Sequence, residues 1–282
     1  MIKYRIITDS SCGITVQEGE KLNVTILPLT LLYMGKEYKD GIDIKTDDFY
    51  QLLFSKEGQM DFPKTSMVSP LEFSKIYEEC LAKGEIPIVL PISSSLSATY
   101  QSACIAKETF GDKEIYVIDT KTALGALKVL ILALTSKSFN TITDLLDEIN
   151  YLLQHIRFYA VPLTLQYLYR GGRLSKTSAL LGNLLNLKPI LTVDNNTGKV
   201  LPLAKVRGIK HAYLKINDFI KENPIDFNYP LDFGYSSDIK NANELKSYLS
   251  DDITIYTMTQ ISPVVGAHVG PNACAIFYIC KK

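Results

Sequence analysis

Ile86-Pro87-Ile88-Val89-Leu90-Pro91-Ile92-Ser93-Ser94-Ser95-Leu96-Ser97-Ala98-Thr99 passes from an apolar run into a row of hydroxyls and then into helical spacing. The apolar run is too short for a buried helix and is bounded by proline and serine, which is the signature of a buried strand. The same succession opens the chain, where residues 2–7 end in Thr8-Asp9-Ser10-Ser11. Further strands are expected at 24–31 and 115–118, and amphipathic helices at 47–54, 70–83 and 96–110. Strands alternating with helices predict a mostly parallel sheet flanked by helices, and so an α/β fold.

Beyond residue 123 the pattern changes twice. Residues 123–134 are nearly all apolar, but Lys128 interrupts them and they fall short of the ~20 residues that span a bilayer, so a buried helix is expected. From about residue 155 a tract rich in Leu, Gly, Arg and Lys (163–189) leads into 190–193, the turn Asp194-Asn195-Asn196-Thr197-Gly198, and 199–206, which read as a hairpin. A helix at 210–222, a strand at 231–235, a helix near 242–249, a strand at 253–257 and a last strand at 275–280 follow. With 282 residues, two α/β domains are expected, 1–155 and 156–282, the second of mixed α/β type. The chain is free to cross between them.

Thirty basic residues balance thirty acidic ones, so no overall field draws the chain to nucleic acid. At 46% hydrophobic and 21% charged residues the composition is that of a globular protein. The N-terminus lacks the apolar core of a signal peptide, which predicts a cytoplasmic protein without stable membrane insertion. The five cysteines form no CxxC pair and have no ligand spacing to the three histidines, so they read as reduced, mostly core thiols, and no metal or cofactor is expected.

Polar groups capable of chemistry gather in three places: Lys64-Thr65-Ser66-Met67-Val68-Ser69-Pro70, the Ser93–Thr99 loop, and Ser262-Pro263-Val264-Val265-Gly266-Ala267-His268-Val269-Gly270-Pro271. Hydroxyls before a helix are first of all caps, with Ser69 placed as N-cap and Pro70 at the first helical position. Together with the free N–H groups of a first turn they also suit a carboxylate or phosphate. In an open α/β sheet such a ligand sits beyond the C-terminal strand ends. His268, among glycines and between two prolines, is read as lying in a tight loop, where it is either a ligand donor or a bystander. His155 and His211, in charged helical surroundings, read as surface residues. Arg170-Gly171-Gly172-Arg173, with Lys176 behind it and Lys205 and Arg207 further on, is either a solvated loop or an anion- or partner-docking patch.

No GxSxG elbow, P-loop, GxGxxG or HExxH occurs, and no catalytic residue declares itself. The competing reading is a hydrolase using a loop serine with His268, or a small phosphotransferase using Asp9 and the arginines on an acidic substrate.

Taken in order, Thr8-Asp9-Ser10, Thr65-Ser66 through Pro70, Ser93-Ser94 through Tyr100, Leu168-Tyr169-Arg170-Gly171-Gly172-Arg173-Leu174-Ser175, Lys188-Pro189-Ile190-Leu191, Lys205-Val206-Arg207-Gly208 and Gly266-Ala267-His268-Val269-Gly270-Pro271 resemble the DegV family of bacterial fatty-acid-binding proteins. The family includes carrier subunits of fatty acid kinase. The resemblance implies a lipid tunnel between two α/β domains, with a long-chain fatty acid held by its carboxylate and its tail buried. It implies headgroup contacts from Thr65 and Ser66, from one or both of Ser94 and Ser97, and from Arg170 and His268. Arg173 would dock a kinase partner that makes the acyl phosphate, the carrier itself being no enzyme. Ser95, Ala98 and Asn272 stand where the family usually has glycine.

Overall fold

The computed structural model describes residues 1–174 and 187–282. Strand β1 (Tyr4–Asp9) explains the layering, because Ile6 enters one apolar core and Ile7 another. Successive side chains of a strand face opposite ways, and a strand buried on both faces belongs inside a parallel sheet.

After β1 come α1 (Val16–Leu22), β2 (Val24–Leu27), β3 (Thr30–Tyr33), β4 (Lys36–Lys39), α2 (Thr46–Phe54), α3 (Lys56–Met60), β5 (Lys64–Ser66), α4 (Pro70–Ala82), β6 (Ile86–Val89), α5 (Thr99–Glu108), β7 (Tyr116–Val117), α6 (Leu124–Thr135) and α7 (Ile142–His155). The later part holds β8 (Ile156–Val161), α8 (Gln166–Arg170), β9 (Leu187–Val193), β10 (Val200–Arg207), α9 (Ile209–Glu222), β11 (Asp232–Tyr235), α10 (Lys240–Ser247), β12 (Thr257–Gln260), α11 (Pro263–Val269) and β13 (Cys274–Ile279).

Among the described residues three sheets result. A parallel one has the order β2-β1-β6-β7, a mixed one β10-β9-β8-β13-β11-β12, and a small antiparallel one β4-β3-β5. One face of the parallel sheet packs on α6 and α7, which also cover Phe158, Ala275 and Phe277 of the mixed sheet. The other face packs on α2, α4 and α5. Helices α9 and α10 cover the far side of the mixed sheet, where Ile276 and Tyr278 alternate with Phe277 and Ile279. The chain is thus a layered, mixed α/β protein. Helix α6 is buried along almost its whole length, Lys128 included, and no helix among the described residues is long and apolar enough to cross a membrane.

Local expectations for two strands and a helix start differ from what is found. The strand expected at 24–31 breaks at Pro28, which has no N–H for the ladder. Its first half joins the parallel sheet, and its second half turns into the antiparallel one through a β3–β4 hairpin. The strand expected at 253–257 begins at Thr257, because Ser250 and Asp252 bond locally and fold the preceding residues into a turn. The helix expected from 96 starts at Thr99, since Ser97 bonds the Thr99 N–H and hydroxyl. Ser69 caps α4 in a reciprocal capping box with Glu72, with Pro70 at the first turn. The five cysteines are free, and all but Cys104 are buried.

Candidate functional site

His268 lies in the last turn of α11, not in a loop. Pro263 starts that helix, and Gly266 lets it approach α2, since a Cβ there would meet the Tyr50 hydroxyl at 2.5 Å. The two prolines that resemble loop signals stand just inside the start and just past the end, where helices accept them. His268 Nε2 lies 2.8 Å from Thr65 Oγ1 on the small sheet. Its Nδ1 is buried and has no hydrogen-bond partner among the described residues. Burial, and then the charge of Arg173, push the imidazole down to about 4, so it is neutral at neutral pH. With the proton on Nε2 it donates to Thr65, and the threonine hydroxyl keeps its own proton for a third group.

The pair borders a cavity of about 90 Å³, several times the ~10–15 Å³ that admits a water molecule. Its walls are apolar, with Ile92, Leu124, Phe158, Leu191, Ile261 and Val265 among them. Its polar lining residues are Thr65, Ser66, Ser97, Arg173, Thr192 and His268. Arg173 is held there by its own bonds, Nε to the Leu96 carbonyl at 3.0 Å and Nη1 to the Gly171 carbonyl at 2.6 Å, and burial lowers its pKa. Such a cavity accepts an apolar body with one polar end, and its bordering donors suit an acid.

The residues singled out from sequence divide into two groups. Thr65, Ser66, Ser97, Arg173 and His268 share the cavity. Ser94 and Arg170 stand apart from it. The Ser94 hydroxyl donates to Asp119 at 2.6 Å on the surface. Arg170 is exposed, its guanidinium 5.7 Å from the Phe62 ring centre, and Phe62 in turn packs on Tyr167. Two further serines of the same loop have structural bonds: Ser93 donates to the Gly198 carbonyl and Ser95 to that of Thr197, tying the loop to the β9–β10 turn. Lys176 lies outside the described residues, and Lys205 and Arg207 lie on β10. His155 stacks on Tyr151, and His211 is exposed. Thr192 is not legible as a lining residue from sequence, because a threonine in a strand carries no signal that distinguishes a cavity wall from a solvent face.

Of the three positions where glycine is usual, only Asn272 has a positive φ, 58°, which asparagine tolerates better than most residues. Ser95 and Ala98 are not among the described positive-φ residues, so their side chains strain nothing there.

Asp9 is buried and committed, accepting from the Ser11 and Ile92 N–H groups. Among the described residues no carboxylate meets Nδ1 of His268, and no three His, Cys, Asp or Glu side chains form a metal-binding group. An imidazole near 4 is also a weak base at neutral pH.

Gly171 gives this geometry a direct check. A Cβ on it would run into His268 Nδ1, while its φ of −71° suits any residue. Gly171→Ala is expected to displace the imidazole from Thr65 and shift its ring resonances in NMR spectra, with Tm falling by less than about 4 °C. Unmoved His268 resonances would show that the ring is not wedged there.

The chain matches the model of the DegV family of uncharacterised proteins over residues 3–281. It is 36% identical over 286 residues to a DegV domain-containing protein of Caldanaerobacter subterraneus subsp. tengcongensis, covering 99% of each chain. Among solved structures it is similar to a fatty-acid-binding DegV family protein from Thermus thermophilus (26% identity, TM-score 0.85, 99% of this chain and 100% of that one). It is also similar to a stearic-acid-binding protein from Eubacterium ventriosum (25% identity, TM-score 0.86, 99% and 98%).

Proposed function

Because the chain belongs to the DegV family, we propose that it binds one long-chain fatty acid, with the carboxylate at Thr65 and His268 and the tail along the apolar cavity. The observation that carries this reading is the distribution of polarity, an apolar cavity with Thr65, Ser66, Ser97 and Arg173 around a neutral imidazole. Burying the tail supplies most of the affinity, at about 0.8 kcal/mol per CH₂, and the polar groups fix its direction. The relatives described as binding fatty acids add support. Arg173, expected from the sequence to dock a partner, serves this reading as a charge beside the headgroup, and Arg170, expected at the headgroup, is exposed and available to a partner.

Native mass spectrometry of the purified chain tests the proposal. A bound mass matching a fatty acid is expected, and a chain that stays lipid-free when offered oleate or stearate overturns it. Thr65→Ala is expected to weaken binding by about 0.5–1.5 kcal/mol, one hydrogen bond, as read by titration calorimetry. Delivery of the carboxylate to a kinase partner for acyl phosphate formation is the onward step of the same reading. A loaded chain that yields no acyl phosphate with such a kinase and ATP removes that step and leaves the binding.

A further inference from the structure

Helix α11 begins without a cap of its own. Ser262 occupies the position whose side chain ordinarily accepts from the first turn, yet its hydroxyl makes no such bond. The acceptor comes from a distant part of the chain: the Val264 N–H donates to Oδ1 of Asp40 at 3.3 Å. Asp40 directly follows β4, is 1% exposed, and has its own N–H held by the Leu29 carbonyl. Val264 stands four residues before His268, so the capped residue and the imidazole share one face of the helix, a turn apart.

We propose that Asp40 is a positioning residue for the headgroup site, acting through α11 to hold His268 against Thr65. The proposal rests on the fatty-acid reading above and deepens it. Thr65 sits on β5 and Asp40 at the end of β4, and both strands pair with β3. One small sheet therefore carries Thr65 directly and sets His268 through Asp40. Two neighbouring bonds pin the segment before α11 to the same part of the molecule, Tyr50 Oη donating to the Ile261 carbonyl at 3.0 Å and Gln260 to Asp47 at 2.8 Å.

The titratable groups that face Asp40 are Asp9 of β1 and Tyr50 of α2, with the hydroxyls of Ser10 and Ser262 beside it. Among the described residues no salt bridge joins it to a cation. Burial pushes its carboxyl up to about 6, and the Asp9 charge adds in the same direction. An aspartate in an unfolded chain titrates near 4. The stability linked to this group is thus complete below about pH 4 and is lost as pH rises through about 6. At neutral pH the ionised, buried carboxylate therefore works against folding.

Asp40→Ala removes the acceptor, and Asp40→Asn keeps the shape and an accepting oxygen without the charge. In lipid-free protein, Asp40→Ala is expected to shift the His268 ring resonances, and its fatty-acid affinity to fall about tenfold, as for one lost hydrogen bond. Asp40→Asn should restore both toward wild type and raise Tm at pH 7. The wild-type His268 resonances should also show an inflection near pH 6 that Asp40→Asn abolishes. This inflection decides the matter even if Asp40→Ala does not fold. Unchanged His268 resonances in Asp40→Ala, or His268 resonances with the same pH dependence in wild type and Asp40→Asn, overturn the proposal. If wild type takes up no fatty acid, the binding reading falls, and the lipid-free resonances still decide whether Asp40 positions His268.

Discussion

Ala160→Phe is expected to abolish lipid loading while the chain still folds. Ala160 lies on β8, a strand paired on both sides, and stands opposite Ala275 of β13 and Leu191 of β9. Its side chain borders the cavity, and the backbone cannot withdraw without breaking two ladders. A phenyl ring there fills the space a tail would take. Excluding about four methylenes costs about 3 kcal/mol at 0.8 kcal/mol each, more than a hundredfold in affinity. Overpacking costs the fold about 1–3 kcal/mol, which a domain of ordinary stability survives. Displacement of a fluorescent fatty acid measures the effect, and a variant that loads like wild type would move the tail out of this cavity.

Gly125→Ala is expected to cost far more stability than Gly171→Ala, although each change adds a single methyl. Gly125 is in the first turn of α6, where that helix rests on the mixed sheet. A Cβ would collide with the Phe277 ring and with Oδ2 of Asp232. Asp232 is fully buried 3.9 Å from Lys128, and Thr259 links them, accepting from Lys128 and donating to Asp232 at 2.7 Å each. Burial raises the Asp232 carboxyl, and Lys128 opposes that rise. Ala is the better helix former, so propensity alone predicts a gain. The clash and the disturbed buried pair outweigh it, and about 3 kcal/mol or more should be lost. Chemical denaturation at pH 7 measures this; a stability equal to or above wild type would mean that α6 has room against the sheet.

Much of the architecture is legible because its signals are local. The first strand, expected at 2–7 and found at 4–9, the capped helix from Pro70, and the hairpin expected within 190–206 and found at 187–207 all follow from apolar periodicity, a cap or a turn. The β3–β4 hairpin is hidden because its turn is Met34-Gly35, with φ of 51° and 70°. Methionine at the first position masks a turn that Asn-Gly would announce. In the candidate site, the hydroxyls crowding Ser93–Thr99 are visible in the sequence, but their division of labour is not. Within a few residues Ser93 and Ser95 brace a turn, Ser94 meets Asp119, and Ser97 borders the cavity. Direction of a side chain in an irregular loop has no period to read. The two arginines of Arg170-Gly171-Gly172-Arg173 are alike in sequence, and α8 ending between them sends one outward over Phe62 and the other inward to the Leu96 carbonyl.

By itself, then, the sequence determined a layered α/β chain with hydroxyl-rich loops after its strands, since strand period, helix period and capping act over a few neighbouring residues. Which polar groups share a cavity was decided only by tertiary structure. Thr65, Ser97, Arg173 and His268 come from separate segments and meet only after two sheets and α11 have packed. The depressed pKa of His268 and the Asp40 bond to Val264 arise the same way, from burial and from contacts between residues far apart in the chain, which no local pattern encodes.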